Sequence, residues 1–234
     1  MALYDAIAGI YDPWSRSVTE DIGFYVEEAL ASGGPVVELA VGTGRIAVPI
    51  AEAGIPVIGV DQSPGMLAVA RQLARKRHVE GLLDLRVGDL REPPVTERVP
   101  LVICPFRSLL HMPDEAEKLR ALRAARGVLL PDGRLVFDVF APSRADIAET
   151  HGRWLEREPG IFERADWDEA TRTLTLSVRC GEQAATMQLH WLSALEWRRL
   201  LDEAGYEAVE AYGWFDRRPL ADSEDMIWAC RRRD

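Results

Sequence analysis

The sequence predicts a doubly wound α/β fold, and three observations carry that prediction. Short apolar runs alternate with helix-length segments from Val18 to Phe140, the pattern of a parallel sheet covered by helices on both faces. The first three of these runs lead into glycine or aspartate, which turn a strand at the edge where open α/β sheets bind ligands. From Arg164 to Trp191 the runs follow one another through turns without helices between them, which indicates antiparallel strands.

The elements follow in order. Ser17 or Thr19 caps a helix over Val18–Ala31, and Gly33-Gly34-Pro35 stops it. Pro35-Val36-Val37-Glu38-Leu39-Ala40 is a buried strand, Gly42-Thr43-Gly44 a turn, and Arg45–Ala53 a short helix ended by Gly54. The second strand, Pro56–Val60, leads to Asp61. Ser63 then caps a helix with Pro64 in its first turn, running to about His78. Leu83–Val87, closed by Gly88-Asp89, and Leu101–Cys104 are the third and fourth strands. Asp114–Gly127 is helical, and Arg134–Phe140 is the fifth strand, entered through Pro131-Asp132-Gly133.

Arg164–Trp167 and Thr171–Arg179 then flank the turn Asp168-Glu169-Ala170 as a hairpin, to which Gly181–Trp191 adds a strand. Ser193-Ala194-Leu195-Glu196 is a capping-box pattern opening a helix to about Ala204. Strands near Ala208–Gly213 and Asp225–Arg231 follow. Seven runs thus make a mostly parallel main sheet. The chain reads as one domain, residues 1–234, with an antiparallel β insert or lid between residues 143 and 192, after the fifth strand.

Composition narrows the function. A length of 234 residues with 47% hydrophobic and 28% charged side chains is that of a soluble globular chain. No apolar run approaches the roughly 20 residues that span a bilayer, and Met1–Tyr11 holds Asp5 and no basic residue, unlike a signal peptide. Cys104, Cys180 and Cys230 are scattered and form no CxxC pair, which fits a reducing cytoplasm rather than a disulfide framework. A net charge of −10 disfavours nucleic acid as a partner. The closing Arg231-Arg232-Arg233 reads as a solvated tail.

The chemistry begins at Glu38-Leu39-Ala40-Val41-Gly42-Thr43-Gly44-Arg45. A glycine turn between strand and helix lets a nucleotide-like ligand approach the backbone where a Cβ would stand in its way. Glu38 is an acid near the end of an apolar strand, tolerated there only if functional or well paired. Asp61 stands at the tip of the next strand, about 20 residues on, where an acid takes ribose hydroxyls. Asp89 stands at the tip of the third strand. Three carboxylates therefore meet on one edge of the sheet.

Glu38 with Gly42-Thr43-Gly44, then Val57-Ile58-Gly59-Val60-Asp61, Ser63-Pro64-Gly65-Met66 and Gly88-Asp89-Leu90 resemble the class I S-adenosylmethionine-dependent methyltransferases, over nearly the whole chain. The resemblance implies a Rossmann-like seven-stranded fold, S-adenosyl-L-methionine as cofactor with S-adenosyl-L-homocysteine as product, and a small-molecule methyl acceptor. By that likeness Glu38 lies near the methionine end of the cofactor, and Gly42 and Gly44 make room for it. Asp61 takes the ribose hydroxyls, with Gln62 and Met66 beside the adenine; Asp89 meets the adenine amino group, and Leu90 packs on the ring. Ala40 and Pro105 complete the cofactor set, although Ala40 departs from the glycine the family commonly has there.

Two other readings share these motifs. Gly42-Thr43-Gly44-Arg45-Ile46-Ala47 also matches the G-x-G-x-x-G/A dinucleotide fingerprint, with Asp61 at a suitable distance, as in an NAD(P)-dependent oxidoreductase. Against it, a helix precedes the first strand, and Glu38 and Asp89 would repel a pyrophosphate, whereas acids suit a sulfonium cation. A non-catalytic S-adenosylmethionine-binding module would keep the glycine turn without an enclosed acceptor pocket.

For the acceptor, Ile103-Cys104-Pro105-Phe106-Arg107-Ser108 follows the fourth strand, where this family meets its substrate. It lacks the Asn- or Asp-Pro-Pro-aromatic motif of nucleic-acid amino-methyltransferases. With His111 it resembles small-molecule enzymes, including relatives that N-methylate amino sugars or glycine-like amines. His111 is the candidate general base, and Arg107 the candidate anchor for an anionic substrate group, with pairing to a local acid as the alternative. Cys104 reads as a structural thiol. By the same likeness an aromatic of the N-terminal segment closes over the cofactor: Tyr11 first, Tyr4 second. Trp154, Phe162, Trp167 and Trp191 are expected in the lid, and Trp214-Phe215-Asp216-Arg217-Arg218 as further pocket wall. His78, His151 and His190 lack ligand spacing, so no metal is expected.

Overall fold

The computed structural model describes residues 8–14, 19–220 and 224–233. The first half of the chain runs α1 (Ala8–Trp14), α2 (Glu20–Ser32), β1 (Val36–Leu39), α3 (Ala47–Glu52), β2 (Val57–Asp61), α4 (Pro64–Lys76), β3 (Leu83–Val87), β4 (Val99–Cys104), α5 (Glu115–Gly127) and β5 (Leu129–Phe140). Then come α6 (Arg144–Thr150), β6 (Trp154–Glu158), β7 (Ile161–Asp168), β8 (Thr173–Cys180) and β9 (Gln183–His190). The chain closes with α7 (Ala194–Glu203), β10 (Tyr206–Tyr212) and β11 (Asp225–Arg232).

The main sheet has the order β10-β11-β5-β4-β1-β2-β3. Its strands β1 to β5 are parallel, and β11 runs antiparallel between β5 and β10. Helices cover both faces, as the alternation predicts. On one face Phe137 packs on Trp197 of α7, with ring centroids 5.4 Å apart, and with Leu122 of α5. On the other, Phe24 and Tyr25 of α2, Ile50 of α3 and Leu67 of α4 form a second cluster. All four residues of β1 are buried, Glu38 included. The antiparallel insert is a separate sheet in the order β6-β7-β8-β9. Among the described residues no helix is long and apolar enough to cross a membrane.

Capping chemistry fixes the helix starts. Ser63 accepts a hydrogen bond from the Met66 amide at 3.1 Å, with Pro64 behind it. Asp114 caps α5 through the Glu117 amide, and Ser193 with Glu196 forms the expected capping box on α7. α2 starts at Glu20 after Thr19, whose side chain makes no cap bond; Ser17 lies outside the described residues. β5 begins earlier than expected, at Leu129, and a register shift between Val99 and Leu101 carries the Pro131-Asp132-Gly133 excursion, with Asp132 at φ 60°.

Two elements of the insert leave no clear mark in the sequence. α6 has no buried residue and so no apolar stripe to read, while β6, Trp-Leu-Glu-Arg-Glu, is almost wholly exposed as an edge strand. The terminal arginines are not a free tail. Arg231 and Arg232 belong to β11, the Arg232 guanidinium donates to the Leu129 carbonyl, and Arg233 pairs with Asp202 at 2.6 Å.

Candidate active site

The tips of the parallel strands open into a cavity of about 660 Å³. Its floor is the turn after β1. Ala40, Gly42 and Gly44 have φ of 58°, 56° and 82°, so the loop uses the left-handed region three times. Ala40, where the family commonly has glycine, adopts the conformation that glycine favours. A Cβ on Gly42 would meet no protein atom within 4 Å, whereas one on Gly44 would press on Val48 and Ala70 at 3.3 and 3.4 Å. The first position is kept open on the cavity side, the second by helix packing.

Asp61 ties this loop to β2. One carboxylate oxygen accepts the Gly42 amide at 2.9 Å, the other the Ser63 amide at 2.8 Å. Gln62, Met66 and Leu90 join it on the wall. From above, α1 brings Tyr11, whose hydroxyl is pushed up from its ordinary range by burial. Asp12 of the same helix accepts a hydrogen bond from the Thr43 hydroxyl of the glycine turn. Tyr4 lies outside the described residues.

Glu38 is 2% exposed, and burial holds its carboxyl well above the usual range, with the Arg45 charge opposing the shift. Its Oε2 has no hydrogen-bond partner among the described residues. Arg45 itself is held by Asp21 through two bonds of 2.7 and 2.6 Å. A buried carboxyl oxygen without a donor is costly. Such a site fits a ligand that brings an amino group or positive charge, which S-adenosylmethionine does and a pyrophosphate does not.

The opposite wall comes from the turn after β4 and from the insert. Phe106, Ser108 and His111 face the cavity, and so do Thr175 of β8 and Thr186, Gln188 and His190 of β9. His111 is pushed down to about 4, by burial first and then by Lys118 and His190, while a hydrogen bond to the Gln188 backbone opposes the shift. Lys118 is itself buried, donates to the Met112 carbonyl and is lowered to about 8 by desolvation. His190 is lowered too, chiefly by burial, and its Nδ1 lies 3.0 Å from the Thr173 hydroxyl. Both imidazoles are therefore neutral at physiological pH.

Several expected residues stand elsewhere. Arg107 does not reach the cavity: its guanidinium pairs with Asp225 at 2.9 Å and lies over the Phe140 ring, the local-acid alternative. Asp89 is turned to Arg91, which donates to its oxygens at 2.9 and 2.5 Å and lowers its pKa. Gly88, Leu90 and Arg91 line the wall in its place. Glu38, Gly44 and Pro105 support the cavity without lining it. The insert's aromatics are not the roof. Trp167 packs edge-on against Phe140 and Trp191, and the Arg179 guanidinium lies over the Trp154 and Phe162 rings. Phe215 packs on Phe24 and Tyr25, and Arg217 pairs with Glu27 and Glu28. Cys104 is buried, its thiol pushed up by desolvation, as a structural thiol would be.

Comparison with known proteins decides between a methyltransferase and a dehydrogenase. A family model described as a methyltransferase domain matches residues 36–133. YqeM of Bacillus subtilis (strain 168), which carries the provisional name of a methyltransferase, is 30% identical over 98% of this chain and 97% of its own. The chain belongs to the methyltransferases. The CcbJ methyltransferase of Streptomyces caelestis has a structure similar to this methyltransferase over 100% of this chain and 99% of its own, with a TM-score of 0.84 and 26% identity. S-adenosylmethionine-bound CalS10, an amino pentose methyltransferase from Micromonospora echinaspora, shares the fold with a TM-score of 0.68 at 19% identity, over 99% and 97% of the two chains.

Proposed function

We propose that this methyltransferase acts on an oxygen or nitrogen of a small molecule held between the turn after β4 and strands β8 and β9, with His111 taking the acceptor's proton. One observation carries the reading. The cavity is continuous from Gly42 and Asp61 at one end to His111 and His190 at the other, so the proposed cofactor and acceptor residues border one space.

S-adenosylmethionine, when bound, supplies an electrophilic methyl group on a sulfonium. Displacement there is in line, so the protein's work is chiefly positioning. Asp61 is suited to the ribose hydroxyls, and Met66 and Leu90 to the adenine. Tyr11 and Phe106, edge to face with centroids 6.3 Å apart, narrow the passage between the two ends. His111 is uncharged above about pH 4 and can accept a proton as the new bond forms. The net charge of −10 supports a small molecule over a nucleic acid, and the free thiols Cys104, Cys180 and Cys230 support a reducing cytoplasm.

Isothermal calorimetry with S-adenosylhomocysteine, NAD and NADP tests the first step. Binding of S-adenosylhomocysteine alone is expected; binding of a dinucleotide instead would overturn the reading. Transfer of a labelled methyl group to a panel of amino sugars, glycine-like amines and hydroxylated compounds tests the second. Methylation confined to nucleic acid or protein would sink the small-molecule assignment.

A further inference from the structure

The chain leaves β4 through Cys104-Pro105-Phe106-Arg107-Ser108, a sharp turn made without glycine. Phe106 and Arg107 have φ of 56° and 61°, so two consecutive residues with a Cβ sit in the left-handed region. Neither is the residue type that region favours. Something must over-determine the turn.

The restraint is a buried carboxylate on the next strand. Asp138 of β5 is 5% exposed and stands inside the apolar run Phe137-Asp138-Val139-Phe140. Cys104 pairs with Phe137 across the sheet, so Asp138 lies one step beyond the end of β4, beside the turn. Its Oδ1 accepts the Phe106 amide at 2.7 Å and its Oδ2 the Arg107 amide at 3.0 Å. Two successive amides aimed at one carboxylate make a backbone nest with its anion supplied by the protein. The Tyr25 hydroxyl donates to Oδ1 as well, at 2.6 Å. A well-packed apolar side chain would serve the core at least as well as a buried charge, so stability alone does not explain an acid there.

We infer that Asp138 is a positioning residue for methyl transfer: it holds the turn after β4 in the one conformation that presents Phe106 and His111 to the cavity. This rests on the proposed role of the cavity as the site of methyl transfer. The turn continues directly into the site. Phe106 lines the cavity with the Arg45 guanidinium over its ring at 4.8 Å. The Ser108 hydroxyl donates to the Pro105 carbonyl at 2.7 Å, and the Leu110 amide to the Arg107 carbonyl at 2.9 Å. These bonds pass the restraint on to the short helical turn Ser108–His111. Asp138 does not line the cavity, so it acts through the turn. Burial raises its carboxyl to about 6 despite these donors, as expected for a charge kept at a cost.

The test compares Asp138→Asn with Tyr25→Phe. An amide in place of the carboxylate turns an NH2 toward at least one of the backbone donors, whereas Tyr25→Phe leaves both amides on the acid. Asp138→Asn should weaken S-adenosylhomocysteine binding about tenfold by calorimetry. It should also speed hydrogen exchange at the Phe106 and Arg107 amides at least tenfold, with the amides of β1 and β2 unchanged. Tyr25→Phe should lower the melting temperature yet bind within twofold of wild type.

Adding Arg107→Gly to Asp138→Asn should restore at least half of the lost affinity on a logarithmic scale, because glycine takes the left-handed conformation unaided. Equal losses of affinity in the two single variants would overturn the inference. So would exchange at Phe106 and Arg107 that Asp138→Asn leaves unchanged. If Asp138→Asn does not fold, the wild-type protein still decides: unprotected Phe106 and Arg107 amides rule the clamp out, and protection matching Ile103 of β4 supports it. Failure of the wild type to bind S-adenosylhomocysteine would sink the proposed role of the cavity, while the exchange pattern would still show whether Asp138 holds the turn.

Discussion

The two ends of the cavity are built on different plans. The proposed cofactor end is made of strand tips and the turns that follow them, in the segment from Glu38 to Leu90. Its parts touch through short-range bonds, such as Asp61 to the Gly42 and Ser63 amides. The proposed acceptor end brings together His111, in the helical turn after β4 of the main sheet, and strands β8 and β9 of the separate four-stranded sheet, far from it in sequence. The first plan fixes a ligand common to a family. The second can change its lining without touching the cofactor, because the insert contributes side chains and not the backbone cradle. The fold is shared with distant proteins, and on this plan the acceptor need not be.

The largest effect that would break this division is at His111. His111→Ala should lower turnover by roughly 10²–10⁴-fold, the usual contribution of a general base, and leave S-adenosylhomocysteine affinity within twofold. Calorimetry and a methyl-transfer assay on the same preparation check it. Lost cofactor binding would mean that the two ends are one unit. Asp61→Ala is the converse. It removes the acceptor of two loop amides and the proposed ribose ligand together, so affinity should fall by at least roughly 100-fold, about 3 kcal/mol. A change below tenfold would show that the glycine turn holds the cofactor without it.

The same division explains how much of the site is legible in the sequence. Glycine after an apolar strand, then an acid at the next strand tip, is a local signal, so Gly42, Asp61, Met66 and Leu90 can be picked out from residue order alone. Thr175, Thr186, Gln188 and His190 cannot. Alternating polar residues on a hairpin read the same whether that face meets water or a cavity. Arg107 and Phe106 are hard to tell apart for a related reason. Left-handed backbone at both positions decides which side chain faces the cavity, and no glycine marks the turn. Asp89 departs from its expected place because Arg91, two residues on, captures its carboxylate. Asp138 does carry a signal, an acid within an apolar strand, and it is the same signal that marks Glu38.

Titration sharpens the contrast further, since two acceptor-end groups are perturbed in opposite senses. His111 is lowered to about 4 when folded, so the unfolded chain holds a proton that the folded protein does not between that value and 6.5. Its contribution to stability, about 3 kcal/mol, is present above pH 6.5 and lost as pH falls to 4. Asp138 is raised to about 6, so the folded state holds the extra proton from 3.8 upward. Its contribution, about 3 kcal/mol, is lost as pH rises from 3.8 to 6. Relative to wild type, His111→Gln should gain stability as pH falls through this window, and Asp138→Asn should gain as pH rises. Urea unfolding from pH 4.5 to 7 reads both slopes; slopes of the same sign would refute the assignment.

The smallest expected effect lies in the cofactor end and asks whether its geometry is already set without a ligand. Ala40 holds φ of 58°, which costs an L-residue roughly 1–2 kcal/mol. Glycine would remove that strain, while the greater freedom of the unfolded chain would take back roughly 0.4–1 kcal/mol. Ala40→Gly should thus stabilise the protein by about 0.5–1 kcal/mol in denaturant titration. Affinity for S-adenosylhomocysteine should stay within about twofold, because both residues support the same loop. A loss of stability would mean that the alanine methyl contributes packing worth more than the strain. A gain in stability with a large loss of affinity would mean that the strain itself keeps the loop in its binding conformation, and the cofactor end would then depend on its backbone as the acceptor end depends on Phe106 and Arg107.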